Sequence, residues 1–240
     1  MDASPTPWQQ REDEFTAALR LASRPVSVTF LDTEPSGIAK FTGTEPSSCS
    51  FWRLAANGRV FYTLPSDHFN CAVGAYTLNI PLSPEREKET EQTLQMMFGV
   101  GYIRPEDVPR ITRLAKAPAA MVFAPLGAAP VAPDVVLFAC RPAAAMLLNE
   151  AAMRAGSGGM LPPLGRPSCM VLPAALASGT VSSLGCTGNR MYTGLPEDEL
   201  YVAVPGADLE KVAGALEIIV SANQAIADYA RERRKQLSIL

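Results

Sequence analysis

Apolar and polar positions repeat along the chain with two periods, which predict strands interleaved with helices. Residues 25–31 alternate and are rich in β-branched side chains, as a half-buried strand is, whereas residues 84–98 begin with proline and acidic residues and carry apolar residues late, as an amphipathic helix does. We expect a flexible loop at the glycine- and proline-rich residues 156–167. The same patterns predict strands at 59–64, 119–123, 134–139 and 200–204, and helical segments at 8–22, 47–56, from Cys71 with Asn70 as its cap, and at 105–115, 142–154, 169–177 and 208–233.

Two parts of the chain resemble each other, which indicates an internal duplication. Pro46–Cys49 resembles Arg166–Cys169, and Tyr62–Asp67 resembles Tyr192–Asp198, with about ten additional residues in the second copy. This comparison makes Cys49 and Cys169 equivalent and treats residues 182–190 as an insertion.

The order of helices and strands predicts an α/β or mixed α+β fold with helices covering a mixed sheet. We expect one domain over residues 1–240, with pseudo-repeated halves at about 8–98 and 105–233. Apolar residues make up 48% of the chain, which is enough for a sizeable core.

Charge and hydropathy exclude several classes of partner. The net charge of -3 and pI near 5.3 give no basic face for nucleic acid, and the basic run at 231–235 is typical of a solvated helix terminus. The N-terminus lacks the pattern of a secretory signal, and no apolar run is long enough to span a membrane. We therefore expect a cytoplasmic protein whose cysteines are thiols or metal ligands; a homo-oligomer is compatible with the sequence.

Four of the five cysteines share a setting that favours thiolate chemistry. Cys49 and Cys169 follow serines, Cys71 follows Asn70, and Cys186 lies among glycines. A helix N-terminus or a glycine-rich turn lowers the pKa of a thiol, and thiolates bind soft metals and iron–sulfur clusters. Cys140, which ends an apolar strand, is expected to act as a small apolar residue.

These observations predict that Cys49, Cys71, Cys169 and Cys186 bind one iron–sulfur cluster. The alternative is that each is a buried free thiol. Zinc is disfavoured because no closely spaced cysteine pair is present, and haem is supported only by the single histidine.

A small-molecule pocket, with an anion as one candidate ligand, is expected next to this centre. The aromatic residues would form its walls, the arginines would hold the anion, and the histidine would serve as ligand, general base or structural residue, although core packing explains each aromatic side chain as well. The candidate residues are Trp52, Arg53, Tyr62, His68, Tyr76 and Arg190.

Three blocks of sequence resemble a known prokaryotic family. They are SSCSFWRLAANGRVFYTLPSDHFNCAVGAYT, PDVVLFACRPAAAMLL and GCTGNRMYTGLPEDELYVAVPG, and they resemble domain of unknown function 169, also described as uncharacterised ArCR. The resemblance runs from about Ala18 to Ala227. It implies one domain, a bacterial or archaeal cytosolic source, and importance for the motifs that hold Cys49, Cys71 and Cys186, but it implies no particular activity.

Two functional hypotheses follow. The first is a cytosolic protein that binds a metal centre, an iron–sulfur cluster, and uses it for redox chemistry or to hold a small molecule. The second is a cofactor-free small-molecule-binding or sensor domain with an aromatic pocket. The chain has no nucleophile elbow, phosphate-binding loop, dinucleotide fingerprint or HExxH motif, so the sequence assigns no reaction.

Overall fold

The computed structural model describes residues 6–159 and 163–237, which form a mixed α+β fold around one six-stranded sheet. The predicted α+β class is confirmed. The five strand pairings in this part of the chain are all antiparallel, and parallel pairing is limited there to three isolated bridges, so the expected mixed sheet is antiparallel. The sheet has the order β2-β3-β1-β4-β6-β5, with β1 (Val26–Leu31), β2 (Phe61–Thr63), β3 (Ala120–Pro125), β4 (Val135–Cys140), β5 (Val181–Ser183) and β6 (Leu200–Pro205).

Helices cover both faces of this sheet. Helices α1, α5 and α8 pack on one face, α2, α3 and α6 pack on the other, and α7 lies against α2. Short 3₁₀ turns at Pro65–His68, Pro105–Arg110 and Ser168–Met170 connect them. In chain order the helices are α1 (Pro7–Leu19), α2 (Ser50–Ala56), α3 (Ala72–Thr77), α4 (Pro84–Gly99), α5 (Pro142–Ala155), α6 (Val171–Ser178), α7 (Thr187–Thr193) and α8 (Leu209–Gln236).

Capping residues explain where several of these helices begin and end. Ser83 accepts a hydrogen bond from the Arg86 N–H at the start of α4, and Gly156 ends α5 in the left-handed conformation. Helix α1 stops at Leu19 rather than at residue 22, because Arg20 adopts a left-handed conformation with φ of 52°. Cys71, not the predicted Asn70, is the N-cap of α3.

The alternation of side chains along each strand produces two separate cores. On β4, Val135 and Leu137 pack under α2 and α6, whereas Val136, Phe138 and Cys140 pack under α1, α5 and α8. Adjacent strand residues point to opposite faces, so a residue's position in the strand decides which layer of helices it contacts.

The strand register relates the two halves of the sheet by a pseudo-twofold axis. Val26 on β1 lies opposite Pro125 on β3, and Val135 on β4 lies opposite Pro205 on β6, so β1 corresponds to β4 and β3 to β6. The axis passes through the central Ser27–Val136 pair, since the flanking pairs Val26–Leu137 and Val28–Val135 exchange with each other.

This register changes the predicted alignment of the repeat. By register, Phe61–Thr63 on β2 corresponds to Val181–Ser183 on β5. Matching Tyr62–Asp67 with Tyr192–Asp198 is therefore wrong. Tyr62 lies on a strand, whereas Tyr192 lies on α7. The supposed insertion at 182–190 runs from β5 into α7. Neither element was predicted from the sequence. The halves expected at 8–98 and 105–233 place β3 in the second half, whereas its pairing groups it with β1 and β2.

Two remaining expectations concern the loop and the membrane. Part of the loop expected at 156–167, residues 160–162, lies outside the described residues. Within the described residues, no helix has both the length and the apolar character needed to cross a membrane.

Gly206 gives a test of the contact between the end of β6 and the start of β4. A Cβ atom at Gly206 would lie 1.7 Å from the carbonyl oxygen of Pro133, so Gly206→Ala should lower the free energy of unfolding by about 2–4 kcal/mol. The matched control is Gly214→Ala on α8, where a Cβ meets no atom within 4 Å; it should raise stability by up to about 1 kcal/mol. Urea titrations of both variants test this, and equal effects would contradict the packing.

Candidate functional site

One cavity gathers the four cysteines singled out from the sequence. It has a volume of about 420 Å³ and lies on the face of the sheet that carries α2, α3 and α6. All five cysteines are free thiols, and Cys140 packs in the core on the opposite face. The four cysteines that line the cavity are Cys49, Cys71, Cys169 and Cys186.

The pseudo-twofold axis explains why these cysteines meet. Cys49 and Cys169 each lie twelve residues before the first residue of an edge strand, β2 or β5. Cys71 and Cys186 are the N-cap residues of α3 and α7, the helices that follow those strands. An axis normal to the sheet keeps both halves on the same face, so each half contributes one cysteine before its edge strand and one after it.

Equivalent serines connect the two cysteine-bearing segments of each half. The Ser48 hydroxyl lies 2.9 Å from His68 Nδ1, in the turn before Cys71, and the Ser168 hydroxyl accepts a hydrogen bond from the backbone N–H of Cys186. Gly74 on α3 permits this packing, because a Cβ there would lie 2.1 Å from the Ser48 hydroxyl oxygen.

Cysteines of each half also lie close to residues of the other half. Cys169 Sγ lies 3.9 Å from the carbonyl oxygen of Val73 on α3, and Cys49 lies near Asn189 on α7. Helix α2 correspondingly packs against α7, and α3 packs against the turn that holds Cys169. The site is therefore built by both halves together and requires the folded sheet.

Burial, not the helix N-termini, dominates the acidity of two thiols. Burial raises the pKa of Cys49 to about 11, although a contact with the Ser47 hydroxyl at 2.7 Å and the nearby Asn189 amide oppose the rise. Burial and the nearby Cys71 raise the pKa of Cys169 well above its usual value. The expectation of lowered pKa values is wrong for these two cysteines, which are neutral thiols unless a cation stabilises their thiolates.

Asn189 is a polar side chain of the cavity that lacks a partner. It is 1% exposed, and neither atom of its amide makes a hydrogen bond with any described residue. The amide is close enough to Cys49 and Tyr201 to lower the pKa of each, but its geometry is outside hydrogen bonding. Buried polar groups are normally satisfied, so this amide is available to a group bound in the cavity.

The side of the cavity away from the cysteines is apolar. It is formed by α4 and residues 100–111, and α4 has no fully buried side chain. Apolar side chains of this covering segment therefore face the cavity instead of a packed core. They include Leu94, Met96, Met97, Val100, Ile103, Val108 and Ile111.

The arrangement of the described thiols does not fit a single metal ion. Within residues 6–159 and 163–237, no group of three or more His, Cys, Asp or Glu side chains is close enough to hold one metal ion. The four thiols surround a space instead of converging on one point.

Comparison with known proteins identifies the family. The family described as uncharacterised ArCR, domain of unknown function 169, matches residues 14–215. The chain belongs to this family. It is also similar to an uncharacterised protein of Methanocaldococcus jannaschii, with 25% identity over 182 residues that cover 72% of this chain and 77% of that protein. No solved structure matches the chain.

Three of the predicted pocket residues of this ArCR-family chain lie in the core. Trp52 packs edge-on against Tyr201, and Tyr62 lies on the other side of β2, where its hydroxyl donates to the Glu34 carboxylate. His68 is 1% exposed and bonds through Nε2 to the Thr63 hydroxyl at 2.9 Å. Trp52, Tyr62 and His68 therefore do not line this cavity.

The predicted arginines do not line the cavity either. Arg53 is exposed, and Arg190 donates to the backbone carbonyls of Leu184, Pro196 and Glu199, so it braces a loop. Neither arginine is therefore placed to hold an anion in this cavity.

Tyr76 does line the cavity, beneath the Arg113 guanidinium at 4.2 Å from its ring centroid. Sequence reasoning missed Asn189, Tyr102 and Arg166 and the apolar side of the covering segment. The apolar residues near the end of α4 could have indicated this wall, because the helix has no second apolar stripe that would pack in a core.

His68 gives a prediction for pH dependence. Burial lowers its pKa from 6.5 to about 3, so below pH 6.5 the unfolded chain binds a proton that the folded chain does not. Stability should therefore fall as pH falls, by roughly 1.4 kcal/mol per pH unit below about pH 6. Because this is the single histidine, His68→Gln should remove that slope.

The measurement is urea unfolding of both proteins between pH 7 and pH 5. The change in the free energy of unfolding with pH decides the result, so a variant that is less stable at every pH can still be compared. Parallel pH profiles for the two proteins would show that His68 titrates normally in the folded state.

Proposed function

We propose that this ArCR-family chain binds an iron–sulfur cluster in the cavity between its two halves. The observation that carries the proposal is the gathering of four cysteines, two from each half, around one cavity. Four cysteine thiolates are the usual ligand set of such clusters. The ligands would be Cys49, Cys71, Cys169 and Cys186.

The surroundings of the thiols support a cluster more than a single ion. A cluster of several iron and sulfide ions spreads its thiolate ligands around its own volume, which suits four thiols that line one cavity. The Asn189 amide would supply an N–H to a cluster or cysteine sulfur. Hydrogen bonds to these sulfurs and burial are established means of tuning reduction potential.

The protein residues would hold and shelter the bound group. Apolar side chains of α4 line the cavity, and the serine contacts fix the segments that carry the cysteines. A bound cluster would supply one-electron chemistry or a binding surface for a small molecule. A cytoplasmic location, where thiols stay reduced, is part of this proposal.

The second candidate is a cofactor-free domain that binds a small molecule. It is favoured by the apolar wall and by the volume of about 420 Å³, which is in the range of small-molecule sites. In that case Cys49 and Cys169 would remain neutral thiols. Arg53 and Arg190 have no role in this version, because neither lines the cavity.

Anaerobic reconstitution with iron and sulfide separates the two candidates. The first predicts brown protein with broad visible absorption and bound iron and sulfide. Each of Cys49→Ser and Cys169→Ser should reduce the iron bound per chain severalfold, because each removes a thiolate ligand.

Cys140→Ser is the matched control. It changes the same residue type on the opposite face of the sheet and should leave iron binding unchanged. Colourless wild-type protein, or equal loss in the control, would contradict the cluster and favour the second candidate.

A further inference from the structure

The described residues that line the cavity contain no carboxylate and a single charged side chain, Arg166. Its guanidinium stacks over the Tyr102 ring at 4.4 Å from the centroid and donates to the Tyr102 carbonyl through Nη1. None of the ion pairs found among the described residues involves Arg166. It therefore presents an uncompensated positive charge at the edge of an apolar space.

The neighbouring surface does not cancel this charge. Arg166 also borders an adjoining hollow of about 370 Å³ that contains Arg104, Arg110 and Asp107. The Asp107 carboxylate pairs with Arg104 at 2.8 Å and lies 3.5 Å from Arg110, and the Glu106 carboxylate lies 3.5 Å from Arg104, so both carboxylates are already engaged by guanidinium groups. An anionic group at this edge would meet excess positive charge.

We propose that the cavity binds a small apolar carboxylate beside the cysteines. Its carboxylate lies on Arg166, and its apolar body lies between Tyr76 and the covering segment at Met97 and Val100. A guanidinium can bind a carboxylate through two hydrogen bonds, and apolar walls with few polar groups are typical of small-molecule sites. The proposal deepens the proposed function, because the cluster would form the opposite wall of the same cavity.

The wall chemistry supports a ligand with a ring or branched apolar body. Thr90 and Thr93 are the polar residues of α4 at the cavity, and their hydroxyls already donate to the Arg86 and Glu89 carbonyls. Methionine and tyrosine side chains adapt well to flat apolar surfaces. The covering segment thus offers mainly dispersion contacts, and Arg166 supplies the charge recognition.

The test compares two matched probes by isothermal titration calorimetry, 4-phenylbutyrate and its uncharged amide. With wild-type protein, the acid should bind about tenfold more tightly than the amide, as expected for hydrogen bonds to a charged group. Arg166→Gln should remove that difference. Arg154→Gln, an exposed arginine on α5, should retain it.

A second pair of variants tests the apolar wall. Met97→Asp should weaken binding of both probes at least tenfold, because it places a carboxylate in the apolar space. Gln92→Asp adds the same side chain at an exposed position of the same helix outside the cavity and should bind as wild type does. Circular dichroism confirms that each variant is folded.

The titrations are run on cluster-loaded and on cluster-free protein, so the two proposals fail separately. Acid binding that depends on Arg166 and Met97 in either form supports the carboxylate site, whatever the visible spectrum shows. Equal affinity for acid and amide in wild type, no binding of either probe, or unchanged selectivity in Arg166→Gln would overturn it, even if the cluster is present.

Discussion

The antiparallel pairing of β1 with β4 at the centre of the sheet is the constraint on which the site depends. It joins two similar halves about an axis through the Ser27–Val136 pair, normal to the sheet. Because the axis is normal to the sheet, equivalent segments of the two halves lie on the same face. The segments before and after the two edge strands therefore meet there. Four cysteines that are far apart in the sequence thereby line one cavity. Neither half would form this cavity alone, since Cys169 contacts α3 and Cys49 lies beside α7.

The two faces of the sheet divide structural and chemical roles. Behind the sheet, α1, α5 and α8 enclose a close-packed core with Phe15, Phe138 and Leu148, which stabilises the scaffold. In front of it, four thiols and the unpartnered amide of Asn189 line a cavity together with α4, a helix that fully buries none of its side chains. Polar groups without partners cost stability when buried, and the unpartnered atoms found among the described residues, on Asn189 and Ser50, belong to helices on this side.

Local patterns in the sequence predicted much of the fold, because they depend on neighbouring residues. Strand β1 alternates, β4 is a short continuous apolar run, and Pro84 and Pro142 mark helix starts. Strand β5 was missed because three residues, two of them serines, carry no period, and that omission misplaced the repeat.

The cysteines were identified as a group because the residues beside them indicated caps and glycine-rich turns, a local signal. The pocket walls depend on long-range packing, and there the sequence predicted poorly. Trp52 and Tyr62 have the chemistry of a pocket but are buried in the core, which depends on the packing of distant segments. An arginine such as Arg190 can bind an anion, but its guanidinium already donates to backbone carbonyls of a loop. The position of that loop could not be predicted from the sequence.

X-ray absorption at the iron edge of anaerobically reconstituted protein reports the atoms bound to iron and so decides whether the cavity takes up a cluster. We expect a first shell of sulfur and a second shell of iron, as in a cluster held by cysteine thiolates. A first shell of oxygen or nitrogen without neighbouring iron would contradict it.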